Sequence, residues 1–179
     1  MLLGQKGYSV IEIRTETTED GPAVREVNER AFGRPAEATL VELLRAAKKV
    51  VVSLVALDDG RVVGHILFSS VTVAVAPENF RGVGLGPMSV LPEFQNQGIG
   101  SRLVREGLDT CRRSGYGAVV VLGHTGFYPR FGFSTAKDYG LDNEYNESDA
   151  FMVMELQVGV LGKISGLVKY APEFREAGC

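Results

Sequence analysis

Apolar residues recur along this chain with two periodicities, and the changes from one to the other divide the chain into predicted strands and helices. Alternation of apolar and polar residues predicts strands over residues 8–15 and 151–158. Helical spacing predicts two amphipathic helices that should lie on a sheet. One follows a start signal at residues 17–22 and ends at Gly33, and the other follows Pro35.

The middle of the chain predicts a hairpin followed by a glycine-rich strand. Residues 50–57 are apolar and rich in β-branched side chains, an Asp-Asp-Gly turn follows, and residues 61–75 form the return strand. The next strand, Gly82–Val90, contains Pro87 just after two glycines. Because proline has no N–H for a strand ladder, we expect this strand to bulge or to splay from a neighbour. The unpaired backbone groups then need another partner.

A βαβ unit is predicted next. A helix over residues 98–114 connects the glycine-rich strand to Ala118–Leu122, whose continuous apolar run is typical of a central strand buried on both faces. Such a unit is right-handed and its two strands are parallel. Residues 123–149 are predicted to be mainly loop, and the tail, residues 159–179, is expected to pack on the domain or on a partner subunit.

The turn before this helix, Gln95-Asn96-Gln97-Gly98-Ile99-Gly100-Ser101, has the character of an anion site. The first N–H groups of a helix have no partner within the helix, and the helix dipole adds partial positive charge there. Gly98 and Gly100 carry no side chain that would keep a diphosphate away from those groups. We therefore expect a phosphate-bearing ligand on this turn.

Composition narrows the class of protein. A chain of 179 residues, 45% hydrophobic and 23% charged, predicts one globular domain spanning residues 1–179. A net charge of −3 argues against nucleic acid as the main partner. There is no apolar stretch long enough to span a bilayer and no signal-peptide run at the start, and Cys111 and Cys179 make no disulfide framework. We expect a cytoplasmic protein with no membrane partner.

The order of these elements resembles the GNAT superfamily of N-acetyltransferases, over residues 8–158. The strongest match is Gln95-x-x-Gly98-x-Gly100 after Met88-Ser89-Val90, which is similar to the family's acetyl-CoA motif of Arg/Gln-x-x-Gly-x-Gly/Ala. Tyr128-x-x-x-Gly132-Phe133 follows downstream, and the segments around Tyr128 and Tyr170 look most like the YhbS-like bacterial subgroup.

The resemblance implies a GNAT fold of the α/β (α+β) class. Its sheet is mixed, mostly antiparallel and twisted, with six or seven strands, a splay between strands 4 and 5, and helices on both faces. It also implies acetyl-CoA as cosubstrate, with no metal. The pantetheine would pair with Met88, Ser89 and Val90. The pyrophosphate would lie on the N–H groups of Gln95, Asn96, Gln97, Gly98, Ile99, Gly100 and Ser101.

Acetyl transfer to an amine needs a neutral amine, a stabilised oxyanion and a protonated leaving thiolate. Tyr128 matches the position at which many family members hold a tyrosine as general acid toward the CoA sulfur. A phenol with a pKa near 10 carries its proton at neutral pH. The general base stays open among His124, His65, Glu29 and Glu37. Because the phosphate turn is neutral, Arg102 and Arg130 are candidates for additional phosphate contacts.

Two functions therefore follow from the sequence. The first is an N-acetyltransferase acting on a primary amine of a small molecule or a peptide. The alternative is a non-catalytic acyl-CoA-binding or sensing domain of the same fold. A homodimer formed through the C-terminal strand and tail is a further expectation.

Overall fold

The computed structural model describes residues 10–179, which form a mixed α/β fold. The strands are β1 (Glu12–Thr15), β2 (Val50–Asp58), β3 (Arg61–Val75), β4 (Gly82–Val90), β5 (Ala118–Leu122), β6 (Ser134–Thr135), β7 (Leu141–Asn143), β8 (Phe151–Glu155) and β9 (Ser165–Lys169). The α-helices are α1 (Gly21–Phe32), α2 (Ala36–Ala46), α3 (Ile99–Arg113) and α4 (Glu173–Ala177). None of these helices is both long and apolar enough to cross a bilayer.

The sheet is mixed, as predicted. Its main path runs β1-β2-β3-β4-β5-β8-β6, with β4 and β5 parallel and every other neighbouring pair antiparallel. The far end of β3 pairs with β9, which also pairs with β7. The described residues contain nine strands because β6, β7 and β9 are short strands within segments that the sequence predicts to be loop or tail.

Helices pack on both faces of the sheet, and neighbouring residues of β3 show this. A Cβ built on Gly64 would lie 3.0 Å from Leu103 of α3, whereas the next side chain, His65, contacts Asn28 of α1. Successive strand residues point to opposite faces, so α3 covers one face while α1 and α2 cover the other. The apolar core lies between these layers, and Phe68, Leu44 and Leu103 are among its fully buried side chains.

Strands β4 and β5 part halfway along β4, which confirms the predicted splay. Their last pair is Leu85 with Val121, yet β4 continues alongside β3 until Val90 faces Gly64. The register of β4 against β3 shifts in the interval that contains Pro87, where the Gly86–Pro87 peptide is cis. A gap lined by β4 backbone that β5 no longer pairs therefore opens beside Pro87.

The boundaries of several elements differ from the sequence prediction. Residues 8 and 9 of the predicted first strand lie outside the described residues, and the strand predicted over 151–158 ends at Glu155, after which the chain turns. The tail does not extend from the sheet: β9 pairs within it, α4 packs on α2, and Lys49 bonds Glu173 at 2.8 Å. This arrangement brings the C-terminal residues to the edge of the splay.

Candidate active site

A cleft of about 1050 Å³ opens where β4 and β5 part. It is bordered by the end of α1, by α2, by β4, by the turn before α3, by the loop after β5, and by the tail. Nearly all the residues predicted for the site line it, namely Met88, Ser89, Val90, Gln95, Asn96, Gly98, Ile99, Gly100, Ser101 and Tyr128. Gln97 is not among the lining residues, and its side-chain amide donates to the Glu93 carbonyl at 3.1 Å.

The two glycines of the turn have different surroundings. Gly98, the residue before α3, has a φ of 81° and open space where a Cβ would be. A Cβ on Gly100 would instead lie 3.3 Å from the sulfur of Met88, so this glycine lets α3 pack closely on β4. The side-chain amide of Gln95 donates a hydrogen bond to the Val90 backbone carbonyl at 2.9 Å and thereby connects the turn to the end of β4. The exposed N-terminus of α3 thus faces the cleft without a side chain at Gly98.

Cationic groups near the cleft come from outside the turn. Arg130 lines the cleft, stacks on Phe127 with its Cζ 4.8 Å from the ring centre, and donates to the Gly126 carbonyl at 3.2 Å. Arg34 also lines it and pairs with the buried Glu37. Arg102 is exposed and is not among the lining residues.

Tyr128 begins a 3-10 turn directly after the β5 loop and lines the cleft. Phe127 and Phe133 meet its ring edge-on, at centroid distances of 5.1 and 5.6 Å. Gly123 leaves room for the same ring, since a Cβ there would lie 2.5 Å from Tyr128 Cε2. Burial raises the pKa of Tyr128 to about 12, so the hydroxyl is protonated at neutral pH.

The four candidate bases separate into two groups. Glu37 and His124 line the cleft, the first buried and the second exposed. Glu29 does not line it, and its carboxylate pairs with Arg25 at 2.8 Å on the surface of α1. His65 is fully buried and is likewise not among the lining residues.

The position of His65 is explained by a network of buried polar side chains. Asn28 Nδ2, which donates to the Val24 carbonyl, stands 3.2 Å from His65 Nδ1, so that ring nitrogen is the acceptor. The proton then lies on Nε2, which is 2.9 Å from Ser53 Oγ and 3.6 Å from Glu16 Oε2. Burial lowers the pKa of His65, although Glu16 opposes the shift. A neutral His65 therefore links β3 to α1 and β2.

Other parts of the described chain are weaker candidates for a functional site. A second depression of about 880 Å³, bordered by Asp138, Glu155 and Lys163, does not include the splay or the turn before α3. Residues 10–179 contain no group of three or more His, Cys, Asp or Glu placed to hold a metal ion.

Comparison with known proteins identifies the family. The acetyltransferase (GNAT) domain model matches residues 12–136. The uncharacterized N-acetyltransferase YhbS of Escherichia coli strain K12 is 38% identical over 164 residues, which cover 90% of this chain and 97% of YhbS. The chain belongs to the GNAT acetyltransferase family. Another GNAT relative, the uncharacterized N-acetyltransferase YjhQ of the same strain, is 40% identical over 129 residues, or 70% of this chain and 71% of YjhQ.

Solved structures of GNAT proteins agree with this assignment. The crystal structure of YhbS from Escherichia coli in complex with CoA has a TM-score of 0.90 at 35% identity, covering 97% of this chain and 96% of that one. A GNAT family acetyltransferase from Brucella melitensis in complex with acetyl-CoA has a TM-score of 0.77 at 37% identity, covering 93% and 99%. The predicted GNAT fold, the likeness to YhbS and the acyltransferase class are confirmed.

The site residues predicted from the sequence include none from one wall of the GNAT cleft. Tyr145, Tyr170, Phe174 and Cys179 all line it, and they come from the loop after β7 and from the tail. The aromatic residues within 170–174 were the signal in the sequence, because a short tail rich in aromatic side chains usually packs against the rest of the domain. Nothing in the local sequence indicated which surface it would cover.

Proposed function

We propose that this protein is an acetyl-CoA-dependent N-acetyltransferase that acts on a primary amine of a small molecule or a peptide. One observation carries the proposal: the splay of β4 from β5 and the exposed N-terminus of α3 at Gly98 border the same cleft. The relatives described with CoA and acetyl-CoA support the choice of cosubstrate.

The residues of the cleft fit that cosubstrate. Backbone groups of Met88, Ser89 and Val90, beyond the last β4–β5 pair, would bond the pantetheine amides. The N–H groups of residues 95–101 would hold the pyrophosphate at the α3 N-terminus, where the dipole favours anions. Arg130 is an exposed cationic side chain that lines the same cleft, and we assign it a supporting role at the phosphates.

The proposed step is direct transfer. Acetyl-CoA supplies an activated acetyl group; the amine nitrogen forms the new C–N bond while the C–S bond breaks. Tyr128 donates its phenolic proton to the sulfur, and the proton lost by the amine goes to Glu37 or His124, the two candidate bases that line the cleft. Holding both substrates in one cleft lowers the barrier without a covalent enzyme intermediate.

The experiment is an amine screen with two variants. Full-length protein is mixed with acetyl-CoA and a panel of primary amines, and free CoA thiol is measured. We expect Tyr128→Phe to lose about 100-fold in kcat, as expected for loss of a general acid, with an unchanged Kd for acetyl-CoA. Tyr116→Phe is the matched control, because Tyr116 is also buried but stacks on Arg81 outside the cleft.

The result separates the two functions predicted from the sequence. Tight acetyl-CoA binding with no acetyl transfer to any amine would favour a sensing domain and contradict the proposal. Equal turnover by wild type and Tyr128→Phe would keep the transferase and remove Tyr128 as the acid. We further propose one domain, a cytoplasmic location and a homodimer; sedimentation of the purified chain tests the dimer.

A further inference from the structure

The hydroxyl of Tyr170 is buried in the wall of the cleft and has no hydrogen-bond partner among residues 10–179. The residue is only 7% exposed. Buried hydroxyls are nearly always paired, and leaving one unpaired costs free energy of folding. An unpaired hydroxyl that borders a ligand cleft therefore points to a ligand atom as its missing partner.

The ring of Tyr170 is held firmly. It packs over β4 so closely that a Cβ on Gly84 would lie 2.5 Å from Tyr170 Cε1. The rings of Phe174 and Tyr145 lie beside it, at centroid distances of 4.9 and 6.1 Å, and its backbone N–H donates to Glu144 Oε1 at 3.2 Å. The hydroxyl is thus presented by a fixed side chain, which is what orienting a substrate requires.

The hydroxyl lies at the point where the strands part. The backbone of Leu122, the residue after the last β4–β5 pair, is close enough to influence the hydroxyl's pKa, but it does not meet hydrogen-bond geometry. Tyr128, Leu122 and Tyr170 all line the cleft. Both tyrosines therefore border the space into which the splay opens.

Tyr170 approaches β4 from the face opposite to α3. Gly84 and Gly86 face the rings of Tyr170 and Phe174, whereas Met88 contacts Gly100 of α3 on the other face. The turn that we assign to the pyrophosphate begins α3. The Tyr170 side of the cleft is consequently the side left for the second substrate. Helix α2, which carries Glu37, packs on α4 beside Tyr170.

We propose that Tyr170 is a substrate-binding residue whose hydroxyl oxygen accepts a hydrogen bond from the N–H of the acceptor amine. This inference rests on the proposed N-acetyltransferase function. A neutral oxygen suits the task, because a hydroxyl holds an amine without the strong preference for the ammonium form that a carboxylate would impose. Burial raises the pKa of Tyr170, so the hydroxyl stays neutral throughout the working range.

The test compares Tyr170→Phe, which removes only the oxygen, with Tyr116→Phe and wild type. The substrate is the amine that wild type acetylates best in the amine screen. We expect Tyr170→Phe to lower kcat/KM for that amine at least tenfold, mainly through KM, while the Kd for acetyl-CoA changes less than twofold. Urea unfolding should show unchanged or higher stability, because the variant removes a hydroxyl that has no partner among the described residues of the folded chain.

Each other outcome overturns the inference. Unchanged kcat/KM would mean that the hydroxyl does not touch the amine. A weaker Kd for acetyl-CoA, matching the loss in kcat/KM, would place the hydroxyl on the cosubstrate. A loss of stability with both substrates equally affected would make it a structural group. If wild type acetylates no amine, that result alone contradicts the proposed function, before any variant is compared.

Discussion

Gly107 of α3 lies against the ring of Phe68 in β3, and a Cβ on Gly107 would come within 2.4 Å of Phe68 Cε2. Phe68 is fully buried, so its ring cannot swing out into solvent. Glycine destabilises a helix by about 1 kcal/mol relative to alanine. Here the missing side chain allows α3 to approach Phe68 closely. Since α3 begins at the proposed phosphate site, this contact helps to fix the distance between that site and the sheet.

We expect Gly107→Ala to destabilise the protein by about 1–3 kcal/mol, because overpacking outweighs the better helix propensity. Gly21→Ala is the control, since Gly21 begins α1 and a Cβ there would meet no atom of the described residues within 4 Å. Urea unfolding of both variants measures the difference. Equal stabilities would show that α3 can shift away from Phe68 at little cost.

Gly98→Ala should weaken acetyl-CoA binding. The φ of 81° at Gly98 costs a residue with a Cβ about 1–2 kcal/mol, and relaxation of that strain would turn the first N–H groups of α3 away from the cleft. We expect the Kd measured by calorimetry to rise about tenfold, which corresponds to about 1.4 kcal/mol. Gly162→Ala is the control, because Gly162 has open surroundings and no positive φ. An unchanged Kd would remove the turn from the binding site.

The buried His65 should make stability depend on pH. Its folded pKa is depressed, so the unfolded chain takes up a proton near the ordinary histidine pKa of about 6.5 while the folded chain resists it. Stability is therefore complete above that pH and falls as the pH decreases toward 5. Burial acts to raise the pKa of Glu16, but the nearby His65 and the hydrogen bond from Ser53 lower it overall, so Glu16 adds a further fall at lower pH.

His65→Gln provides the comparison. The variant should be less stable at pH 7, because its buried partners lose hydrogen bonds, and its stability should change less between pH 7 and 5. Urea unfolding at each pH gives both numbers. The pH at which kcat/KM decreases in acid (its acid limb) should be the same in the variant as in wild type, because His65 does not line the cleft. A shifted acid limb would mean that His65 is the general base after all.

Tyr128 should show no titration of its own in the working range. With a pKa of about 12, its hydroxyl remains a proton donor throughout neutral and mildly alkaline solution. We therefore expect kcat, corrected for spontaneous thioester hydrolysis, to stay level up to about pH 10. An alkaline decrease below that pH, present in wild type and absent from Tyr128→Phe, would show that the phenol ionises earlier than its burial implies.

The sequence is most informative where the structure is local. The βαβ unit and its turn depend on residues that are neighbours in the chain. The residue types alone therefore let Pro87 indicate the splay, and they let Gly98 mark the turn that we propose as the anion site. Gly100 shows the limit of such reasoning. Its second role, allowing α3 to approach Met88, depends on a contact between elements that no short motif encodes.

The C-terminal wall of the cleft could not be predicted in the same way. Tyr170 reaches its place because β9 pairs with the far end of β3, and that pairing depends on packing between distant segments. The strands β7 and β9 are short, with little alternation to distinguish them from loop. The sequence also could not show that the Tyr170 hydroxyl lacks a partner among residues 10–179, because pairing of a polar group is a property of the folded chain.

The pairing of β9 with β3 also bears on how the protein folds. Contacts between residues far apart in the chain form slowly, because the long intervening loop loses entropy before the contacts compensate for it. The turn before α3 and the adjacent end of β4 need only a short loop. We therefore expect the half of the cleft that we assign to acetyl-CoA to form before the wall that carries Tyr170 and Phe174.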